Sequence, residues 1–162
     1  MAQSPQLKQS SPTSPDPQDF RLDATPAMRA DNVVSGEHWR IGLITDSLVR
    51  FEWSDSGVFE NRPTQTVLNR DFGSPVERRV TERDGRVIID TAALTIVYDQ
   101  QPFSKEGLSV VVKGVADTQF NTWHYGDEPK HNLKGTARTL DEANGEIPLD
   151  DGVISRDGWA VL

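Results

Sequence analysis

Apolar and polar side chains alternate along the chain from about Asn32 onward, most clearly in the two short runs 38–44 and 48–53. The apolar residues that share one side of each run are Trp39, Ile41 and Leu43 in the first and Val49, Phe51 and Trp53 in the second. Alternation with a period of two predicts β-strands with one buried face. The polar cluster at 45–47, between the two runs, predicts that the strands form a hairpin.

Further strand-like runs follow at short intervals. They cover residues 64–69, 76–81, 87–90, 93–98 and 108–113, and the aromatic run 120–125 is a further candidate. Asp84-Gly85 predicts a tight hairpin turn, because both central positions of such a turn take positive φ. Residues 100–107 are predicted to form a loop, and no helical apolar stripe of ten or more residues occurs between 32 and 113. The pattern predicts an all-β fold, an antiparallel β-sandwich or a related architecture.

Two segments differ in composition from this region. Gln, Ser and Pro make up twelve of residues 1–20, and so few apolar side chains cannot offset the entropy of ordering a chain. We therefore predict a disordered lead-in at 1–20 and one domain at 21–162. Residues 126–158 are polar and contain five glycines, which predicts a long loop within that domain. Loops of this length in compact domains are usually functional or disordered.

The formal net charge is −8, and the six acidic residues and one basic residue between Asp141 and Asp157 contribute −5 of it. This balance excludes a surface that coats DNA or RNA, which requires clustered Lys and Arg. The absence of cysteine excludes a disulfide scaffold, a thiolate zinc site and a cysteine nucleophile. No apolar run approaches the ~20 residues of a membrane helix, and the first residues do not resemble a secretory signal. These features predict a cytoplasmic protein with no membrane or nucleic-acid partner.

Candidate chemistry within the chain is sparse. The acidic pairs at 141–142 and 150–151 are adjacent in sequence, whereas glycoside hydrolysis needs two carboxyl groups facing each other about 5–9.5 Å apart. We interpret them as part of a solvated loop. The three histidines, at 38, 124 and 131, lack metal-site spacing and are predicted to be structural or exposed. Neither a nucleophile elbow nor a nucleotide-binding glycine motif is present, so no catalytic residue, metal or cofactor is predicted.

The tryptophans are the aromatic residues best suited to contact a ligand. Trp39, Trp53 and Trp159 lie in strand-like patterns and are predicted to be core residues. Trp123 borders the glycine-rich loop and is the one we would test as a ligand contact. The final run 158–162 is apolar and strand-like, and we expect the native protein to continue beyond it.

Two stretches of the chain carry a resemblance to a known family. The first comprises LVRFEW at 48–53 and GVFENRPTQTVLNR at 57–70. The second comprises WHYGDEP at 123–129, NLKGTARTLD at 132–141 and SRDGW at 155–159. Together they resemble the N-terminal domain of glycoside hydrolase family 31, the α-glucosidase and α-xylosidase family. The resemblance extends from about Phe20 to Leu162.

The resemblance implies a β-sandwich of the galactose-mutarotase-like supersandwich type, truncated before a (β/α)8 barrel. The family hydrolyses α-glycosidic bonds with retention, through a covalent intermediate, using two aspartates of the barrel. A barrel needs about 250 residues, so the 162-residue chain is too short to contain one. The implied function is therefore that of an accessory domain that is inactive alone, whose partners are its own barrel and a carbohydrate substrate. A free-standing carbohydrate-binding or protein-interaction module is the alternative.

The resemblance also implies candidate substrate-binding residues. The family's N-terminal domain often extends a loop over the mouth of the barrel, and the matching stretch here is 132–145. Asp141 is the first candidate within it and Arg138 the second, since charged groups strengthen hydrogen bonds to sugar hydroxyls. Trp123, chosen for its aromatic ring beside the glycine-rich loop and not from the resemblance, is the third candidate. The alternative is that Arg138 and Asp141 pair with each other or with the surface of the barrel.

Overall fold

A computed structural model describes residues 23–114, 121–137 and 139–162 of the chain. These residues form two antiparallel sheets, of three and five strands, preceded by a short 3-10 turn at Ala30–Asn32. The strands are β1 (Val33–Ser35), β2 (Trp39–Leu43), β3 (Val49–Trp53), β4 (Arg79–Arg83), β5 (Arg86–Asp90), β6 (Leu94–Tyr98), β7 (Leu108–Val112) and β8 (Thr122–His124). The prediction of an all-β fold is confirmed. The predicted lead-in at 1–20 lies outside the described residues.

The two sheets pack against each other over one hydrophobic core. Strands β1–β2–β3 form the first sheet, and β4–β5–β6–β7–β8 form the second in simple sequential order. Alternate residues of the central strands are buried, as the sequence pattern requires. The shared core comprises Trp39, Ile41, Leu43, Val87, Ile89, Leu94, Ile96, Tyr98, Leu108, Val110 and Trp123. The Trp39 and Tyr98 rings meet edge to face across the sheets, with centroids 5.2 Å apart.

The predicted hairpin turns are present. The β2–β3 hairpin turns through residues 44–48, where the Thr45 hydroxyl accepts a hydrogen bond from the Leu48 amide at 2.9 Å. The β4–β5 hairpin turns at Asp84 and Gly85, whose φ values are 52° and 74°. Two consecutive positive φ values identify the type of turn that matches the twist of the flanking strands.

A polar layer covers the outer face of the first sheet. Arg40 of β2 and Glu52 of β3 are cross-strand partners, and their side chains form two hydrogen bonds of 2.6 and 2.9 Å. Arg50 approaches the same carboxylate at 3.0 Å. The irregular segment 54–78 packs over these residues, and its Arg70 is fully buried. Arg70 donates hydrogen bonds to backbone carbonyls of that segment, among them that of Arg62 at 2.9 Å.

Three of the strand predictions are wrong in whole or in part. Residues 64–69 form no strand, because the Thr64 hydroxyl accepts a hydrogen bond from the Val67 amide and closes a local turn. The run 76–81 enters strand β4 only at Arg79, since the Val76 amide donates to the Asn32 side chain at 2.8 Å instead of to a strand. The final run 158–162 is not a strand, although Trp159 packs against the core. No helix among the described residues is long and apolar enough to cross a membrane.

Candidate functional site

The predicted loop at 126–158 has an ordered base. Residues 131–135 run antiparallel to residues 150–156, with an isolated bridge between Asn132 and Ser155. Three backbone hydrogen bonds join the two sides, from Leu133 to Ile154 (2.9 Å), from Gly135 to Asp150 (2.7 Å) and from Arg156 to His131 (3.0 Å). We call this paired region the loop stem. It fixes the two ends of the excursion formed by residues 136–149.

One asparagine side chain secures the stem. The Asn132 side-chain amide donates to the Gly152 carbonyl at 2.7 Å, and its oxygen accepts from the Gly152 amide at 2.9 Å and from the Lys134 amide at 2.8 Å. The backbones approach closely at this point, since a Cβ on Gly152 would lie 2.7 Å from the Lys134 carbonyl oxygen. Only glycine fits at this position without moving one side of the stem.

Replacing Gly152 with alanine should therefore open the stem. We expect the amides of Leu133, Gly135 and Arg156, which bond across it, to lose hydrogen-exchange protection in Gly152→Ala, because the new methyl group collides with backbone atoms. The amides of β5 and β6 should keep theirs. Gly135→Ala, on the facing side of the stem, is the matched control, since a Cβ there makes only ordinary contacts of 3.4 Å or more. Unchanged exchange across the stem in Gly152→Ala would contradict this arrangement.

The excursion carries the first predicted site residue on an exposed turn. The Ala143 amide donates to the Leu140 carbonyl at 3.1 Å, which places Asp141 and Glu142 at the centre of the turn. The Asp141 amide also donates to the Thr139 hydroxyl at 3.0 Å. Asp141 is exposed, so its carboxylate is available to a ligand. The second candidate, Arg138, lies outside the described residues.

The third candidate lies in the core. Trp123 of β8 pairs with Val110 of β7, and this register turns the indole inward, where it is 7% exposed. Its ring stacks on Phe51 at 6.1 Å between centroids, with a tilt of 22°. Its indole N–H donates to the Asp127 carbonyl at 3.1 Å. Trp123 is thus buried in the core, whereas Asp141 lies on an exposed turn.

Asp127 contacts several neighbouring groups, although no sequence motif marks it. Its carboxylate accepts hydrogen bonds from Lys105 Nζ at 2.6 Å and from the backbone amide of His124 at 3.1 Å. The same carboxylate lies 3.3 Å from His124 Nδ1. The Lys105 hydrogen bond lowers the pKa of Asp127 most, with His124 contributing. The carboxylate is therefore ionised at neutral pH, so it acts as a hydrogen-bond acceptor and not as a general acid.

A second carboxylate, that of Asp157, binds the first residue of the stem, His131. Asp157, with a side chain 3% exposed, lies 2.6 Å from His131 Nδ1 and accepts the His131 backbone amide at 3.0 Å. The hydrogen bond from the His131 side chain lowers the pKa of Asp157. Because the two residues are 26 positions apart, their pairing has no local sequence signal. The adjacent Gly158, at φ 81°, is the one sequence cue to a turn there.

These groups surround a surface depression of about 340 Å³ beside the loop stem. Its lining comprises Lys105, Thr122, His124, Asp127, Glu128, Lys130, Asp157 and Trp159. Charged side chains beside an indole suit a polar ligand with one apolar face, such as a sugar.

Within the described ranges, no group of three or more His, Cys, Asp or Glu side chains is placed to hold a metal ion. Comparison with known proteins leaves the family open, since no family model and no curated protein matches the chain.

Proposed function

We propose that the chain is an accessory β-sandwich domain, of the galactose-mutarotase-like type, of a retaining α-glycosidase. It supports a catalytic (β/α)8 barrel and lends that barrel the 132–145 loop. The observation that carries the proposal is the loop itself, whose ends are joined by the stem while Asp141 occupies an exposed turn within it. A loop held at its base presents a carboxylate at lower entropic cost than a free chain does.

Exposed apolar side chains around the stem support a docking role. Leu133, Leu140, Leu149, Val153 and Ile154 are all exposed, and Leu140 and Ile154 are 70% and 68% accessible. Scattered exposed apolar residues are common on protein surfaces, but several within one short segment are typical of an interaction site. A catalytic domain packed against this segment would cover them. The same contact would bring Asp141 towards the substrate that the catalytic domain holds.

The association can be measured with a family 31 barrel expressed without its own N-terminal domain. We expect the chain to bind such a barrel, and Ile154→Asp to weaken binding by roughly ten-fold or more, because a charge would be buried in the contact. Val58→Asp is the matched control. Val58 is also an exposed aliphatic residue, 76% accessible, but it lies on segment 54–78, which covers the three-stranded sheet. Equal loss in both variants, or no binding by the unmodified chain, would contradict the docking role.

The depression beside the stem favours a second candidate, a carbohydrate-binding module that acts without a catalytic domain. Trp159 lines it together with two ionised aspartates. On this reading, millimolar sugar quenches tryptophan fluorescence in a saturable way, and Trp159→Phe removes the response. A flat titration with glucose, xylose and soluble glucan excludes this candidate and leaves the accessory-domain proposal standing.

A further inference from the structure

Strand β4 forms one edge of the five-stranded sheet, and β5 is the strand that pairs with it within the described ranges. All five of its residues, Arg79–Arg83, are exposed. An edge strand of this kind presents a row of backbone N–H and C=O groups that can pair with another strand. The feature does not depend on the proposed function, because it lies on a different element from the loop and the depression.

The hairpin register identifies which backbone groups of β4 are available. Arg83 and Arg86 flank the two-residue turn, so they exchange hydrogen bonds, and the pattern then alternates along the antiparallel pair. Arg83, Thr81 and Arg79 therefore direct their backbone groups towards β5. Val80 and Glu82 direct theirs to the free edge.

We propose that this edge pairs with the same edge of a second copy of the chain, antiparallel and centred on Val80. A twofold axis through Val80 then joins the two sheets into one continuous ten-stranded sheet. Within β4 the opposed residues are Val80 with Val80 and Arg79 with Thr81. Extending the pairing over the two residues that precede β4 opposes Arg78 with Glu82 and Glu77 with Arg83. Each unlike pair occurs twice, so four pairs of opposite charge flank an apolar centre.

Charge distinguishes this register from the neighbouring one. Residues opposite each other in a sheet point to the same face. A twofold-symmetric pairing can therefore shift only by moving its centre from Val80 to an adjacent residue. Centring on Thr81 would oppose Arg79 with Arg83, and centring on Arg79 would oppose the two Arg79 side chains, so each shift places like charges directly across the strands. Opposite charges directly across a strand pair are favourable and like charges unfavourable. The sequence ERRVTER at 77–83 thus complements itself about Val80.

Two side chains support the same register. Val80 faces the same side of the sheet as the buried Ile89, its partner on β5, yet it is 43% exposed because β4 lies beyond the cover of the other sheet. A second Val80 beside it would reduce that exposure. Among the described residues the Arg78 guanidinium makes one long hydrogen bond, of 3.4 Å, to the Val76 carbonyl. Glu82 of the second copy would bring a carboxylate acceptor to the Arg78 guanidinium.

Sedimentation velocity of the full chain across a concentration series tests the proposal. The expected result is a reversible shift from 18.0 kDa to twice that mass. Val80→Pro should abolish the shift, because proline removes a backbone donor that only the second copy uses and is tolerated on an edge strand. Circular dichroism and urea unfolding of each variant check that it remains folded.

Charge reversal tests the register itself. Arg78→Glu and Glu82→Lys should each weaken self-association by roughly ten-fold or more, since each creates two like-charge pairs. An equimolar mixture of the two variants should associate again, because the introduced glutamate then faces the introduced lysine, while the unchanged Glu82 of one copy faces the unchanged Arg78 of the other. Arg62→Glu and Glu106→Lys, at exposed positions away from β4, are the matched controls and should self-associate as the unmodified chain does.

Three results would overturn the proposal. They are a chain that stays monomeric at every concentration, a dimer that tolerates Val80→Pro, and a mixture of the two charge variants that fails to associate.

Discussion

Trp39→Ala is expected to lower the free energy of unfolding by about 3–5 kcal/mol, the usual cost of truncating a buried tryptophan. Trp39 is 5% exposed and lies at the centre of the contact between the two sheets, with its ring against Tyr98. The chain also fits closely around it, since a Cβ on Gly36 would collide with the indole. A methyl group in its place leaves a cavity that the two rigid sheets cannot close.

Urea unfolding of the variant measures this loss, followed by circular dichroism because the substitution removes a fluorophore. Phe72→Ala is the matched control, since it truncates an aromatic side chain that is 63% exposed. Its effect should be small, because little apolar surface is returned to water. A similar loss in both variants would mean that Trp39 does not join the two sheets.

Glu52→Gln is expected to cost about 2–4 kcal/mol, because the carboxylate is the shared partner of two arginines in a largely buried layer. Arg40 and Glu52 have side chains 11% and 10% exposed, and Arg50 lies 3.0 Å from the same carboxylate. The fully buried Arg70 adds a third positive charge, and desolvation lowers its pKa, with Arg50 also contributing. Without the carboxylate these guanidinium groups repel one another with little screening.

The pH dependence of this variant gives an independent check. Burial on its own would raise the pKa of Glu52, but hydrogen bonds from Arg40 and Arg50 outweigh it and bring the pKa below the usual value of 4.5. The ionised carboxylate therefore contributes its full stabilisation above pH 4.5. This stabilisation is lost as the pH falls through the lower pKa that Glu52 has in the folded state. The difference between the unmodified chain and Glu52→Gln should shrink on acidification.

Glu60→Gln is the matched control for the charge change. Glu60 also pairs with an arginine, Arg62, and that hydrogen bond lowers its pKa to about 2. The pair is exposed, however, and exposed ion pairs contribute little to stability. A loss in Glu60→Gln as large as that in Glu52→Gln would contradict the burial argument.

The alternation of apolar residues predicted the central strands correctly because one face of each packs against the core. Strands β2, β3, β5, β6 and β7 all fall within or beside their predicted runs. The prediction failed at 64–69, where β-branched residues are present but the Thr64 hydroxyl closes a turn. Residue types alone do not reveal such side-chain to backbone bonding.

The site was harder to predict than the fold. The loop at 126–158 followed from its glycines and charge, and the exposure of Asp141 agrees with its place in that loop. The sequence could not predict whether the Trp123 ring points into the core, because a three-residue strand with aromatic neighbours shows no clear alternation. Its pairing with Val110 is what turns the ring inward. The His131–Asp157 contact depends on the stem, which forms between residues distant in sequence.

The hydrolysis of aryl α-glycosides by a family 31 barrel, with and without this chain fused before it, tests the proposed role as an accessory domain. We expect no turnover by the chain alone, weak or no turnover by the bare barrel, and a clear gain in the fusion. Asp141→Ala in the fusion should raise KM. Asp150→Ala, which removes a carboxylate from the loop stem, should leave KM unchanged. Turnover by the chain alone, or a fusion no more active than the bare barrel, would contradict the accessory role.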